Sequence, residues 1–282
     1  MNRLLTTSDH SRDSAVLTYV YPVVSRRSGG VSVGINLNTN NACNWRCLYC
    51  QVPDLKRGGA PDTDLRLLGE ELRGFLQQAL HGDFMAQRVP PEARRLNDIA
   101  LSGNGEPTSA ANFDAVVTLI GKIMREFDLI GKIKLVLISN GSLMHRPAVQ
   151  AGLREMAKLG GEVWFKLDRA SAAGVQQINS SQESPESIRD HLRIAASLCP
   201  TWLQTCVFNL DGEPPSQAEC GAYLDFVASL RGAGVTLQGV QLYGLARPSL
   251  QPDTNRLSSV PDIWEENFAA AIRVAGLAVK RS

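Results

Sequence analysis

The run Cys43-Asn44-Trp45-Arg46-Cys47-Leu48-Tyr49-Cys50 gathers three of the chain's six cysteines within eight residues, at CxxxCxxC spacing. Thiolates are soft ligands, and several on one short loop suit zinc, Cu(I) or an iron–sulfur centre. A structural zinc closes its shell with four protein ligands. Here no fourth cysteine lies nearby, and the closest downstream histidine is His81. The spacing also departs from the CxxCxxC run of bacterial ferredoxins. A zinc knuckle, or three small cysteines in a core, are the plainer alternatives. Working outward, the β-branched run 31–37 just upstream reads as a strand, 38–41 breaks it, and 56–62 (KRGGAPD) is a turn-rich exit.

A chain of 282 residues with 44% hydrophobic residues can bury one sizeable core, near the upper limit for a single domain. Its 29 basic and 28 acidic residues leave a formal net charge of +1, so no global field argues for nucleic acid. The first sixty residues differ, with Arg3, Arg12, Arg26, Arg27, Arg46, Lys56 and Arg57 against Asp9, Asp13 and Asp54. That surplus surrounds the cysteine loop and reads either as a solvated face or as a contact for a phosphate-bearing substrate or an acidic electron donor. No apolar run is long enough for a bilayer, and the first thirty residues lack a signal-peptide core. Six cysteines are too few here for a disulfide framework, which fits a reducing cytoplasm.

Residues 1–30 read as a polar N-terminal extension, with only 15–24 apolar enough to order, and 31–282 as the main domain. Helical spacing is predicted over 65–80 (with Asp62 and Asp64 as candidate caps), 113–127, 145–159, 184–198, 218–230 and 263–279. Further strands are predicted at 97–102, 133–138, 163–167, 202–210 and 235–243. Six strands alternating with six helices give an α/β fold with a mostly parallel sheet and right-handed crossovers. A partial (β/α)6 barrel fits better than a full eight-unit barrel. Loops following the strands then gather on one face, so the cysteines, Gly103–Thr108 (GNGEPT), Ser139-Asn140-Gly141, Lys166 and Asp168, Asn209 and Gln241-Leu242-Tyr243 converge.

With those motifs in order, the chain resembles the radical S-adenosylmethionine superfamily, and within it the wyosine-synthesis-like branch with bacterial members of unassigned substrate. The resemblance covers most of 31–279. It implies a [4Fe–4S] cluster on Cys43, Cys47 and Cys50 whose open iron chelates S-adenosylmethionine. It also implies reductive cleavage to a 5′-deoxyadenosyl radical, hydrogen abstraction from substrate, and reduced flavodoxin or ferredoxin as electron donor. In that resemblance Gly105 and Glu106 receive the amino group of the methionine moiety. Ser139 and Asn140 match a polar pair that contacts ribose or the ligand carboxylate, though either equally fits a helix cap. Lys166 pairs with the carboxylate and Asp168 with ribose. Asn179 matches the asparagine of an I-N-R/K segment that here lacks its basic residue. Tyr49, Leu242 and Tyr243 lie on the adenine side, with Tyr49 equally compatible with shielding the cluster, and Arg247 is a contact for an anionic substrate group.

The wyosine enzymes carry a second cluster on upstream cysteines, and none precedes Cys43, which counts against their reaction. Cys206, in a predicted strand, is either a hydrogen-atom donor facing the interior or a small core residue, and Cys199 and Cys220 match no cluster motif. His10, His81, His145 and His191 are scattered and receive no metal role. Three functions remain open: a radical enzyme acting on a small molecule or peptide, an RNA-modifying relative of the wyosine enzymes, and a non-enzymatic iron–sulfur carrier or scaffold.

Overall fold

The computed structural model describes residues 4–6, 17–25 and 29–282. Arg3, Arg12, Arg26, Arg27, Asp9, Asp13, His10 and the first part of the apolar stretch 15–24 lie outside the described residues. One sheet of eight strands organises the chain: β1 (Val20–Ser25), β2 (Gly30–Ile35), β3 (Leu96–Leu101), β4 (Lys134–Ser139), β5 (Glu162–Lys166), β6 (Thr201–Cys206), β7 (Gly239–Tyr243) and β8 (Val279–Arg281). Their spatial order is their chain order, β2 to β8 run parallel, and β1 is antiparallel to β2. Right-handed crossovers that always step the same way keep every connecting helix on one side of a sheet. The twisted sheet then curls with its other side inward, the partial barrel expected from the sequence.

The six predicted strands are β2 to β7. Three shorten at one end: the predicted 31–37 ends at Ile35, the predicted 202–210 ends at Cys206, and the predicted 235–243 begins at Gly239. Asn209 therefore lies beyond its strand, in a separate ladder of Asn209–Leu210 with Leu257–Ser258. The predicted closing helix 263–279 ends at Val274, because Gly276 takes a φ of 98° that a helix cannot continue, and the chain returns to the sheet as β8.

The helices are α1 (Leu65–His81), α2 (Phe113–Glu126), α3 (Pro147–Lys158), α4 (Ala172–Asn179), α5 (Pro185–Leu198), α6 (Gln217–Gly232) and α7 (Asp262–Val274), with a short turn of helix at Phe84–Arg88. Asp64 caps α1, accepting from the Arg66 and Leu67 amides at 2.9 and 3.0 Å. Pro147 opens α3, where its missing N–H costs nothing. Helix α4 was not foreseen: at 8 residues, with Val175 and Ile178 as its large buried side chains, it is too short to show a period.

Alternation along the strands sorts side chains between two faces. Val33, Ile35, Ile99, Leu101, Leu135, Leu137, Val163, Phe165, Leu203, Val240 and Leu242 pack under the helices in one apolar core. Their neighbours Ser32, Asp98, Ala100, Ile138, Trp164, Gln204 and Tyr243 line a hollow. The two faces thus differ in chemistry, and only the inner one is built to meet a ligand. Tyr21 of β1 lies across Gly34 of β2. A Cβ there would stand 2.1 Å from the ring, so glycine is required.

Strand β1 is held from outside the sheet as well. Glu71, on the buried side of α1, accepts the amides of Thr18 and Tyr19 at 2.8 Å each and of Val20 at 3.2 Å. Glu71→Ala leaves those three donors short of a partner and is expected to cost about 1–3 kcal/mol. Urea denaturation measures the loss, and limited proteolysis should find new cleavage within 17–25 before the rest of the chain opens.

Candidate functional site

The cysteine loop leaves β2 and crosses the end of the hollow formed by the C-terminal ends of the parallel strands. A short ladder of Ala42–Cys43 with Lys56–Arg57 closes its base. On one side it pairs with the last turn of α4: the Arg46 amide donates to Asn179 O at 3.0 Å and the Leu48 amide to Ile178 O at 2.9 Å. On the other it meets the arm that follows β7, where Ser249 Oγ donates to Leu48 O at 2.6 Å. In the same arm the Leu250 amide donates to Cys50 O at 2.9 Å, and Gln251 Nε2 to Val52 O at 3.0 Å. The Arg57 guanidinium donates to Asn44 O and, at 2.5 Å, to Ser180 O. Part of the basic surplus of the first sixty residues is therefore spent on holding the loop.

Beneath the loop lies Asp168, 3% exposed. Its Oδ2 accepts from the Tyr49 hydroxyl and from Asn179 Nδ2 (2.8 Å), and its Oδ1 from the Cys206 amide (2.9 Å). One carboxylate thus joins the cysteine loop, α4 and β6. Asn179 uses its amide again, donating to Cys47 Sγ at 3.3 Å. Burial pushes the thiols of Cys43 and Cys47 up to about 12, so both are protonated at neutral pH and binding a metal would release their protons.

Glu106 is a second buried carboxylate, 2% exposed. Oε1 accepts from Thr108 N, Thr108 Oγ1 and Ser139 Oγ at 3.1, 2.6 and 2.7 Å, while Oε2 accepts only the Asn140 amide at 2.7 Å. Burial raises its pKa and these bonds work against that rise. A carboxylate offers about four acceptor positions over its two oxygens, which leaves Oε2 able to take another donor. Gly105 backs this turn against the cysteine loop so closely that a Cβ would stand 2.0 Å from Ala42 O. Ser139 and Asn140 do not cap α3, whose N-cap is Arg146. Ser139 is bound to Glu106, and Asn140 Nδ2 donates to Asn44 Oδ1 at 2.8 Å, tying the end of β4 to the cysteine loop.

Lys166 completes the group, donating from Nζ to the hydroxyls of Tyr49 (3.1 Å) and Tyr243 (3.0 Å). Burial disfavours its charge, but Tyr243, Asp168 and Cys47 together outweigh that and hold its pKa above the ordinary lysine value.

A cavity of about 310 Å³ opens between these residues. Cys43, Cys47, Cys50, Tyr49, Gly105, Glu106, Asn140, Lys166, Cys206, Tyr243 and Arg247 all line it. Ser139, Asp168, Asn179 and Leu242 do not; the first three stand behind the wall and hold it. Leu242 is a correction. With 0% exposure it lies in the helix-facing core, because alternation sends it to the face opposite Tyr243. Cys199 and Cys220 are away from the cavity, bonded to the carbonyls of Gly161 and Pro215. Among the described residues no three His, Cys, Asp or Glu side chains form a ready-made metal group. What the loop supplies is donor chemistry: three thiols around one opening, which fits a soft metal centre with incomplete protein ligation.

Several site residues were not singled out from the sequence. Asp98 and Gln204 are polar residues inside otherwise apolar strand runs, a signal that was present in the chain. Ser249 closes a block, 243–249, that belongs to the resemblance, but nothing in it marks the hold on the cysteine loop, and Gln251 acts through an irregular arm and gave no signal. His145 and His191, 46 positions apart, also meet, with Nδ1 and Nε2 at 3.1 Å, and Glu183 binds the far side of His191. Asp168→Ala would strand three donors at once and is expected to cost about 3 kcal/mol by denaturant unfolding. Iron uptake on reconstitution should fall with it, whereas Asp168→Asn keeps part of both.

No protein-family model matches the chain. Over 161 residues it is 30% identical to a UPF0026 protein of Synechocystis sp., covering 57% of this chain and 52% of that protein. The chain spans about half the length of the curated relatives it matches. A radical SAM methyltransferase from Sphaerobacter thermophilus has a similar structure, with a TM-score of 0.60 at 13% identity over 90% of this chain and 66% of that one. The structure of TYW1 with a lysine–pyruvate adduct bound gives a TM-score of 0.56 at 14% identity, over 88% and 74% of the two chains. At such identities the structural likeness is one of fold. In fold and in cysteine signature together, the chain resembles the radical S-adenosylmethionine superfamily, and within it the wyosine-synthesis-like branch.

Proposed function

We propose that the chain is a radical S-adenosylmethionine enzyme acting on a small molecule or peptide. The observation that carries this reading is that three thiols, a buried glutamate with spare acceptor capacity and a lysine line one cavity at the C-terminal ends of parallel strands. Cys43, Cys47 and Cys50 would hold a [4Fe–4S] cluster, which when bound supplies the reductive cleavage of S-adenosylmethionine and the hydrogen abstraction that follows. Glu106 Oε2 accepts the amino group of the methionine moiety. Lys166 neutralises its carboxylate. Tyr243 and Tyr49 set the width of the nucleoside side, and Asp168 and Asn179 keep the cysteine loop in place. Arg247, also in the lining, faces an anionic group of the substrate, and Cys206 contributes a thiol whose pKa burial raises.

A small substrate is favoured over RNA because Arg57, one of the basic residues near the loop, is engaged in holding it. An electron carrier or scaffold has no use for a cavity behind its cluster. Reduced flavodoxin or ferredoxin is the class of donor this chemistry needs.

Anaerobic reconstitution with iron and sulfide, reduction with dithionite and addition of S-adenosylmethionine test the proposal directly. Chromatography should then find 5′-deoxyadenosine and methionine in equal amounts, and neither product with Cys43→Ala, Cys47→Ala or Cys50→Ala. Iron bound at four per chain with S-adenosylmethionine left intact would contradict it.

A further inference from the structure

Cys43 is held from both sides. Before it, Asn38 Nδ2 donates to Ala42 O at 2.8 Å. After it, Asn44 enters a closed ring of side chains with Asn140 and Ser142. Asn140 Nδ2 donates to Asn44 Oδ1 at 2.8 Å, Asn44 Nδ2 to Ser142 Oγ at 2.7 Å, and Ser142 Oγ to Asn140 Oδ1 at 2.7 Å. The Ser142 amide donates to that same Oδ1 at 3.1 Å. A backbone N–H can only donate, so it fixes which end of the Asn140 amide faces it, and the direction of every other bond in the ring follows. Gly141, between the two, takes a φ of 80° against the Phe165 ring, where a Cβ would stand 2.1 Å away, so the turn that brings Ser142 back to Asn140 is fixed.

The ring joins the two groups that the proposed function asks to act on one ligand. Asn44 follows Cys43 directly, and the Asn140 amide donates to Glu106 Oε2 at 2.7 Å, the oxygen with room for another donor. A ligand held both at an iron on Cys43 and at Glu106 Oε2 must match the spacing between them, and such constellations work only when held to about 0.5 Å. Asn140 lines the cavity, but Asn44 and Ser142 do not, so their effect on a ligand passes through Asn140. We propose that Asn44 and Ser142 are positioning residues. Through Asn140 they set the spacing between the Cys43 thiol and the Glu106 carboxylate, and with it the fit of S-adenosylmethionine across both. The inference rests on the proposed function and extends it to two residues behind the wall. Asn38 holds the loop upstream of Cys43 without the ring, so opening the ring should spare cluster assembly and weaken the ligand alone.

Four full-length proteins are compared after anaerobic reconstitution with iron and sulfide: the parent, Asn44→Ala, Ser142→Ala and the double variant. Iron per chain and melting temperature report on the loop, and isothermal titration with S-adenosylmethionine reports on the spacing. Iron content should equal that of the parent throughout, with melting temperatures within about 4 °C of it in the single variants. The dissociation constant for S-adenosylmethionine should rise about tenfold in each single variant. Because either substitution opens the same ring, the double variant should bind no more weakly than the weaker single one. Losses that multiply in the double variant, binding equal to the parent in both single variants, or iron lost in step with binding would each overturn the inference. A parent that takes up iron and still fails to bind S-adenosylmethionine overturns the proposed function and this inference with it. A parent that binds, with variants that bind equally well, overturns this inference alone.

Discussion

The carboxylate of Asp168 is the interaction on which the site depends. It lies at the end of β5, beneath the wall, and accepts from Tyr49 on the cysteine loop, Asn179 on α4 and the Cys206 amide on β6. These partners stand 119, 11 and 38 residues away along the chain, so one buried anion fixes elements that no local propensity would bring together. A buried charge is costly unless its acceptor positions are filled, and here each oxygen has a donor. Asn179 passes the constraint on to the Cys47 thiol. Glu106 does the same on the opposite wall for Ser139 and Asn140, and Asn140 reaches Asn44. The thiols are thus presented by a loop that is anchored from both sides by buried carboxylates.

The same economy explains why the barrel is hollow. Crossovers on one side leave the inner face of the sheet to line the hollow, and many of the side chains there are small or polar, among them Ser32, Ala100, Ser102, Gln204 and Cys206, beside the larger Ile138 and Trp164. Close packing of that face would need large apolar residues, which alternation has placed under the helices instead. The cavity follows from the phase of the alternation. Its lining is chemically mixed, with thiols, an amine, hydroxyls, acids and amides together.

Much of this was legible in the chain. The cysteine spacing, the glycine-rich turn ending in Glu106 and the strand-end positions of Lys166 and Tyr243 could be read because each is a short motif fixed to one strand. The phase of alternation was harder: Leu242 and Tyr243 looked equivalent in sequence, and only the sheet separates them. The partner of Glu106 was also hidden, since Ser139 carries no mark that its hydroxyl bonds to a carboxylate rather than to a ligand. Strand β1 escaped notice because its order comes from Glu71, some fifty residues later in the chain. The hold of Ser249 and Gln251 on the loop depends on an arm without periodicity.

In the proposed function, S-adenosylmethionine binds at an open iron of a cluster held by Cys43, Cys47 and Cys50. Electron paramagnetic resonance of the anaerobically reconstituted, dithionite-reduced protein, recorded with and without S-adenosylmethionine, decides whether it does. A [4Fe–4S]⁺ signal whose g values shift on addition is the predicted result. A cluster signal that stays unchanged at saturating S-adenosylmethionine would contradict it.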